Sequence, residues 1–462
     1  MSLKNKINGI KKFIKSENLL TSKEECYCYA SDASNSLIKD VLPDVVIFAK
    51  TTEDIQNTMK YAYEHEIPVI SRGAGTNMVG ACRCAQGGIV LEFSKMNRIL
   101  EINPVNMTAR VEPGVILGDL KKAAEEQGLF FPPDPSNYKV STIGGAIAQS
   151  SGGAMSLKYG TTKDYILALK VVTADGRLLT LGTGTSKESA GYHLAQLMVG
   201  SEGTLAIIAE ATLKLIPKPE THRSIAAYFD NINDSIQSIS EILQSGMLPS
   251  AVDFMDNNSI KSVEDFSHLG LKTDKECMLI IRFDGSIDET EDNIKNVSGI
   301  LSTHNAVSQK ISGNESESDE LWEARRVSYA AATRLAPDVL SDDIIVPRIH
   351  LAEMINICKN IAEKYSLKMC MVGHAGDGNI HPQIALNLEN NTEFKNYMSA
   401  KTEMYEAAIK FGGSISAEHG IGIEKLSYLG NTIDKNALNY MKEIKRIFDS
   451  KNILNPNKIF DL

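Results

Sequence analysis

The 462-residue sequence contains no Cys-x-x-Cys motif, although it holds seven cysteines. Cys26/Cys28 and Cys82/Cys84 are each separated by one residue, the wrong spacing for a zinc ribbon or a cubane iron–sulfur cluster. Reduced thiols are the simpler reading, and the chain is expected to carry no iron–sulfur cluster of its own. No apolar run approaches the roughly 20 residues that a membrane-spanning helix requires. The opening stretch, MSLKNKINGIKKFIKSENLL, is basic and amphipathic but lacks the apolar core and cleavage site of a secretory signal. It reads as a surface helix, with cytoplasmic location as the default. A net charge of −10 leaves no basic excess for a nucleic-acid backbone. Internal repeats and low-complexity tracts are absent too.

What remains is an ordinary globular composition, 43% apolar and 23% charged, in a chain long enough for two or three domains. The first half alternates strand and helix signals. VVIFAK (45–50), IPVIS (67–71) and GIVLEFS (88–94) are β-rich, whereas 54–66 and 116–128 are helical. Residues 167–182 read as a hairpin turning at Asp175-Gly176, and 203–220 as a long β run ending in two prolines, which marks a domain boundary near 218–222. Beyond it, SIAAYF, NDSIQSISEILQSG, AVDFMD, CMLIIRF and ETEDNIKNVSGILSTH predict strand-helix-strand-strand-helix, an antiparallel sheet with helices of the ferredoxin-like type. The segment from about 413 onward is compatible with packing on either domain.

Three small-residue segments stand out. SRGAGTNMVG (71–80) follows a strand, and two readings compete for it. A dinucleotide-binding Rossmann turn would use Glu92 as its ribose acid, but Met78 occupies the third glycine position and no amphipathic helix follows. The better reading is a nest of backbone N–H groups around a pyrophosphate, with a plain structural turn as the alternative. The stretch 132–160 carries Gly144, Gly145, Gly152 and Gly153 amid Ser and Thr, which lets backbone approach a large flat ligand. GSEGTLAII (200–208) places an acid between glycines at a strand start. Three such segments favour a dinucleotide.

VGHAGDGNIH (372–381) sets two histidines seven residues apart around Gly376 and Gly378, which disfavour a helix. A straight strand would place them on opposite faces. A strand-turn-strand with its apex at Asp377-Gly378 would fold them towards a common point, as a metal site or as a polar turn with satisfied hydrogen bonds.

In chain order, R-G-A-G-T (72–76), P-P-D-P-S (132–136), T-I-G-G (142–145), Y-G (159–160), G-S-E-G-T-L (200–205), G-H-x-G-D-G-N-x-H (373–381), S-x-E-H-G (416–420) and N-P-x-K (455–458) together resemble the FAD-dependent D-2-hydroxy-acid dehydrogenase family. Glycolate oxidase flavin subunits, D-lactate dehydrogenases and D-2-hydroxyglutarate dehydrogenases belong to it, and the resemblance runs from about residue 20 to 460. It implies an α+β fold: a two-subdomain vanillyl-alcohol-oxidase-type FAD-binding domain (1–220), an antiparallel-sheet, ferredoxin-like cap domain (221–412) and a C-terminal segment (413–462) packing back on the FAD domain. By the resemblance Gly73, Ala74, Gly75 and Thr76 hold the FAD pyrophosphate. Pro133, Ser136, Thr142, Gly144, Gly145, Gly153, Tyr159, Gly160, Glu202, Gly203 and Ile208 line the rest. Ala74 sits where relatives that tether FAD covalently have a histidine, so noncovalent FAD is expected.

His374, His381 and Glu418 then form a candidate set for a divalent metal, zinc, iron or manganese, with Glu418 and His419 pointing to opposite faces if their segment is extended. Oxidising a 2-hydroxy acid requires loss of the hydroxyl proton while hydride leaves Cα, and His419 is the expected base. LWEARRVSY (321–329) offers Arg325 and Arg326 beside the only tryptophan; the resemblance selects Arg325 as the clamp for the substrate carboxylate. Hydroxyglutarate-type members carry a lysine where Ser341 stands here, a threonine at Tyr329 and an asparagine at Gln383, and the adjacent Asp342 and Asp343 are expected to repel a second carboxylate. D-lactate, or else glycolate, is the expected substrate. With no NAD fingerprint, haem motif or cluster motif, electrons are expected to leave to a quinone, a separate iron–sulfur subunit or an electron-transfer flavoprotein. A metallohydrolase or a nonenzymatic flavin-binding subunit are the rival readings.

Overall fold

The computed structural model describes residues 8–34 and 41–462. The chain divides into two compact units: one takes in Met1–Ser151, Thr161–Lys218 and Glu418–Leu462, the other Gly152–Gly160 and Pro219–Ala417. The sequence places boundaries at 220 and 413. The structure instead sends Gly152–Gly160 to the second unit and returns to the first at Glu418, an excursion that a run of small residues gives no periodicity to reveal.

In the first unit Val45–Phe48, Val69–Arg72 and Ile89–Glu92 form a parallel sheet, with Leu19–Leu20 as an antiparallel edge. The runs VVIF and IVL are apolar without alternation, as strands covered on both faces must be, and the buried Glu92 ends the second. The helix Thr52–His65 starts at a capping box of Thr51 and Asp54 and buries Ile55, Met59 and Ala62 on one face. These join Val45, Ile47, Val69 and Leu91 in a core that also takes in Ile10, Ile14, Ile453 and Leu454. The expected N-terminal surface helix is thereby corrected: Ile10–Lys12 and Ser16–Asn18 are single 3-10 turns pinned by buried isoleucines. Residues 1–7 lie outside the described residues.

A second sheet, antiparallel throughout, orders Ile99–Asn103, Thr108–Val111, Ile207–Lys214, Ile166–Val172 and Leu178–Gly182. Its last two strands are the hairpin expected at Asp175-Gly176. Within the small-residue stretch lies a helix that the sequence reading missed, Ile143–Gln149, which buries Ile143, Ala146 and Ile147 and is capped by the Thr142 hydroxyl accepting from the Gly145 N–H.

The second unit is built on an eight-stranded sheet whose pairings are all antiparallel. The predicted strand-helix-strand-strand-helix order gains one helix, Asn257–Ser267, directly after the strand Ala251–Asp256. Only Ile260 and Val263 are large apolar side chains buried on it, too few for the 3.6-residue period to show; the Asp256 carboxylate caps it, accepting from the Ser259 N–H at 2.8 Å.

Lys368–His374 and Asn379–Leu386 form the strand pair predicted around VGHAGDGNIH. Gly378 turns with φ +83°, and a Cβ there would lie 2.2 Å from the Val346 carbonyl oxygen, so no other residue fits the apex. Register sets His374 opposite Asn379 and Val372 opposite His381. Both histidines therefore share one face of the sheet, with ring centroids 5.4 Å apart. Among the described residues no helix is long and apolar enough to cross a membrane.

Candidate active site

In the first unit the strand Val69–Arg72 runs into a loop that opens no helix, which removes the Rossmann alternative. Glu92, its would-be ribose acid, is buried and accepts from the N–H and hydroxyl of Ser94. Asn77 braces the loop, its Oδ1 accepting from the Val79 and Ala81 N–H groups at 2.9 and 2.8 Å.

The loop forms one wall of a cleft of about 1210 Å³, counted with its open mouth. Gly73, Ala74, Gly75 and Thr76 face it, as do Ser136, Thr142, Gly144 and Gly145, and on a third side Glu202, Gly203 and Ile208. Pro133 is buried without lining the cleft, where Pro135 stands instead. Gly153, Tyr159 and Gly160 belong to the second unit, and the Tyr159 hydroxyl donates to Asp284 at 2.9 Å.

Two observations fit this cleft to FAD. A Cβ at Gly73 would stand 2.2 Å from the Thr142 hydroxyl oxygen, so the walls already approach as closely as glycine allows. The buried Ser141 Oγ and Gln149 Oε1 line the cleft without a hydrogen-bond partner among the described residues. Buried polar atoms of that kind call for a bound polar group. Cys82 also lines the cleft, but burial pushes its thiol up to about 12, which leaves it a poor nucleophile.

Glu418 and His419 face this same cleft, in a segment that is bent; the opposite-faces expectation for an extended chain does not hold. Their segment is anchored inside the first unit. The Glu202 carboxylate accepts from the Ile421 and Gly422 N–H groups at 2.7 and 2.8 Å. Burial pushes the Glu202 carboxyl up to about 7, against the opposing pull of those two N–H groups. Asn455 donates to the carbonyls of Ala81 and Glu202 at 2.7 and 2.6 Å, and Lys458 to that of Arg83 at 2.9 Å. The N-P-x-K motif is thus a tie between the glycine loops.

In the second unit, His374 Nδ1 lies 2.8 Å from Asp253 Oδ1, and Arg325 Nε pairs with Asp253 Oδ2 at 2.7 Å. Burial alone would raise the Asp253 carboxyl, but His374 and Arg325 beside it hold it below the usual carboxylate range. His381 Nδ1 lies 3.3 Å from the Asp342 carbonyl oxygen. Each Nδ1 facing an acceptor selects the tautomer with the lone pair on Nε2, the arrangement found in histidines that bind metal. Arg326, beside Arg325, turns outward to Glu323 with 45% of its side chain exposed, against 15% for Arg325.

The acids at 342 and 343 require a correction. Asp342 receives the hydroxyls of Tyr397 and Tyr405 and sits 3.4 Å from the Lys401 ammonium. Asp343 receives the Asn379 amide, the Ser416 hydroxyl and the Ala417 N–H. Both are buried and matched, so they do not present the bare repulsive surface expected. Tyr329 reaches towards the Val339 carbonyl at 3.5 Å, and the buried Gln383 Oε1 has no hydrogen-bond partner among the described residues. Sequence reasoning missed Asp253, Asn77, Ser141 and Gln149. Only Asp253 left a trace, an acid amid the otherwise apolar AVDFM.

Comparison with known proteins now bears on both units. Residues 43–182 match the family "FAD binding domain", and residues 218–459 match "FAD linked oxidases, C-terminal domain". The chain is 42% identical over 419 residues to glycolate oxidase subunit GlcD of Bacillus subtilis (strain 168), covering 91% of this chain and 89% of that one. It is 35% identical over 429 residues to a D-lactate dehydrogenase of Anaerostipes hadrus, covering 90% and 89%. A structure of p-cresol methylhydroxylase with substrate bound shares its fold, with a TM-score of 0.82 at 16% identity over 99% of this chain and 96% of that one. The architecture is the α+β, vanillyl-alcohol-oxidase type, and the chain belongs to the FAD-linked oxidases, a family of flavin-dependent oxidoreductases.

Proposed function

We propose that the protein is a dehydrogenase that oxidises a small D-2-hydroxy acid, D-lactate to pyruvate first of all, with noncovalent FAD. The observation that carries this reading is the group in the second unit: two imidazoles on one sheet face, each with Nδ1 on an acceptor, and an arginine paired to the carboxylate that orients one of them. FAD, when bound in the cleft of the first unit, supplies the hydride acceptor. His374 and His381, with Glu418, are the residues that would hold a divalent zinc, iron or manganese ion, which lowers the pKa of a bound hydroxyl.

The chain's own side chains do the rest. Arg325 meets the substrate carboxylate with its terminal guanidinium nitrogens, since Nε is engaged by Asp253. His419, facing the cleft, takes the hydroxyl proton as the carbon-bound hydrogen leaves as hydride. The 2-oxo acid is released, and the two electrons pass on to an electron-transfer flavoprotein or an iron–sulfur subunit. The relative named as a subunit supports a separate acceptor. Noncovalent attachment is supported by Ala74 in the pyrophosphate loop and by the un-ionised Cys82 thiol.

Ser341 in place of a lysine supports a monocarboxylate over hydroxyglutarate. Glycolate is the second reading, favoured by the 42% identity to a glycolate oxidase subunit. Steady-state kinetics test the choice: kcat/KM is expected to be higher for D-lactate than for glycolate or D-2-hydroxyglutarate, and a higher value for D-2-hydroxyglutarate overturns it. A metallohydrolase would have no use for the cleft, and a nonenzymatic flavin subunit none for Arg325 and His419.

A further inference from the structure

Asp253 is a fully buried carboxylate that touches two of the side chains proposed to act. It lies on the strand Ala251–Asp256, directly opposite His374 in the antiparallel pairing with Lys368–His374. Its neighbours Val252 and Phe254 are buried apolar residues, and its own exposure is 0%. A carboxylate in such a place costs several kcal/mol unless paired, and a well-packed apolar residue is often the more stable choice. Here Oδ1 lies in hydrogen-bond contact with His374 Nδ1 at 2.8 Å, and Oδ2 forms an ion pair with Arg325 Nε at 2.7 Å without the alignment of a hydrogen bond. Arg325 comes from the helix Glu323–Ala332, far away in sequence.

We infer that Asp253 is a positioning residue that sets two groups at once: it holds His374 in the tautomer and ring angle of a metal ligand, and it turns the Arg325 guanidinium so that its terminal nitrogens face the substrate carboxylate. This rests on the function proposed above. The physical reason is that one rigid carboxylate pairs with the imidazole through a hydrogen bond and with the guanidinium through charge, which fixes the angle between the two. An amide cannot do the same. Asp253→Asn keeps the size and one acceptor but not the charge that pairs with Arg325. With its oxygen on His374 Nδ1 its NH₂ faces the guanidinium, which is released; turned the other way, it forces His374 to let go or to change tautomer and lose its Nε2 lone pair.

The test uses the FAD-loaded protein, stripped of metal with a chelator and titrated with Zn²⁺ by calorimetry, alongside the KM for D-lactate or whichever 2-hydroxy acid is turned over. Asp253→Asn should weaken at least one of zinc binding and substrate KM by roughly 10–100-fold, the usual cost of losing an outer partner of a metal ligand. Flavin content should stay near wild type at temperatures where the variant is folded, even though loss of the buried pair lowers its melting temperature. With zinc saturating, the double variant Asp253→Asn/Arg325→Ala should show no higher KM than Arg325→Ala alone, because the hold of Asp253 on the substrate carboxylate runs through that arginine. If wild type binds zinc and turns over while Asp253→Asn matches it in both readouts, the inference is overturned and the proposed function stands. A wild type that neither binds zinc nor is reduced by any 2-hydroxy acid overturns the proposed function, and the inference falls with it.

Discussion

In the first unit the cleft is walled by glycine, serine, threonine and backbone, and it leaves Ser141 Oγ and Gln149 Oε1 unmatched. In the second unit the face that carries His374 and His381 is built from charged side chains whose partners are internal: Asp253 for His374 and Arg325, the Asp342 carbonyl for His381. The contrast separates two ways of making a site. Small residues provide close approach to a large flat surface, and sheet register provides fixed angles between charges. Changes in the small-residue walls of the first unit should therefore act on flavin content, whereas changes to the titratable groups, His419 of the first unit and those of the second, should act on turnover with the flavin still in place.

The largest effect sharpens the contrast from the cleft side. His419→Ala removes the proposed base, so substrate-driven flavin reduction should slow by roughly 10²–10⁴-fold, the usual weight of a general base, in stopped-flow absorbance. Flavin content should not change; bleaching at the wild-type rate would show that His419 is not the base. Next comes the paired comparison of the neighbouring arginines. Arg325→Ala should raise KM by roughly 10–100-fold, as expected for a charge-assisted hydrogen bond of about 1.5–3 kcal/mol. Arg326→Ala, on the exposed side, should stay within about twofold. Equal effects would break the distinction that the structure draws between them.

A smaller change tests the first unit alone. Gly203 has φ +69°, and a Cβ there would lie 2.4 Å from the Ser71 hydroxyl. Gly203→Ala should store about 1–3 kcal/mol of strain, lowering both the melting temperature and the flavin-to-protein ratio. A variant that melts normally and keeps full flavin would refute the close-approach account. The smallest effect is a pH dependence. Burial raises the Glu202 carboxyl from 4.5 to about 7, so between these values the folded protein holds a proton that the unfolded chain has lost. Stability from this group is greatest below pH 4.5 and falls as pH rises through 7. Glu202→Gln should flatten that part of the melting-temperature profile, and an unchanged slope would mean that Glu202 is ionised throughout.

The same contrast explains what was legible in the sequence. RGAGT, TIGG and GSEG could be read because backbone approach requires small residues at fixed local spacing, and the turn at Asp377-Gly378 because its apex has the φ that only glycine tolerates. The helix Ile143–Gln149 hid in the same small residues, since three buried apolar side chains make too weak a stripe. Asp253 stayed silent for another reason. Its partners lie 72 and 121 residues downstream, at Arg325 and His374; the pairing of Ala251–Asp256 with Lys368–His374 brings the histidine, and the helix Glu323–Ala332 brings the arginine. The acids at 342 and 343 misled because sequence gives charge without partners; Tyr397, Tyr405 and Lys401 arrive from a helix more than fifty residues later.

The most direct measurement is an anaerobic titration of the purified protein with D-lactate and, separately, L-lactate, followed in the flavin absorbance bands, with metal analysis of the same sample. The account predicts an oxidised flavin spectrum at the start, stoichiometric bleaching by the D-enantiomer only, and about one divalent transition metal ion per chain by the triad assignment. A protein that carries flavin but is bleached by neither enantiomer, nor by glycolate, would contradict it.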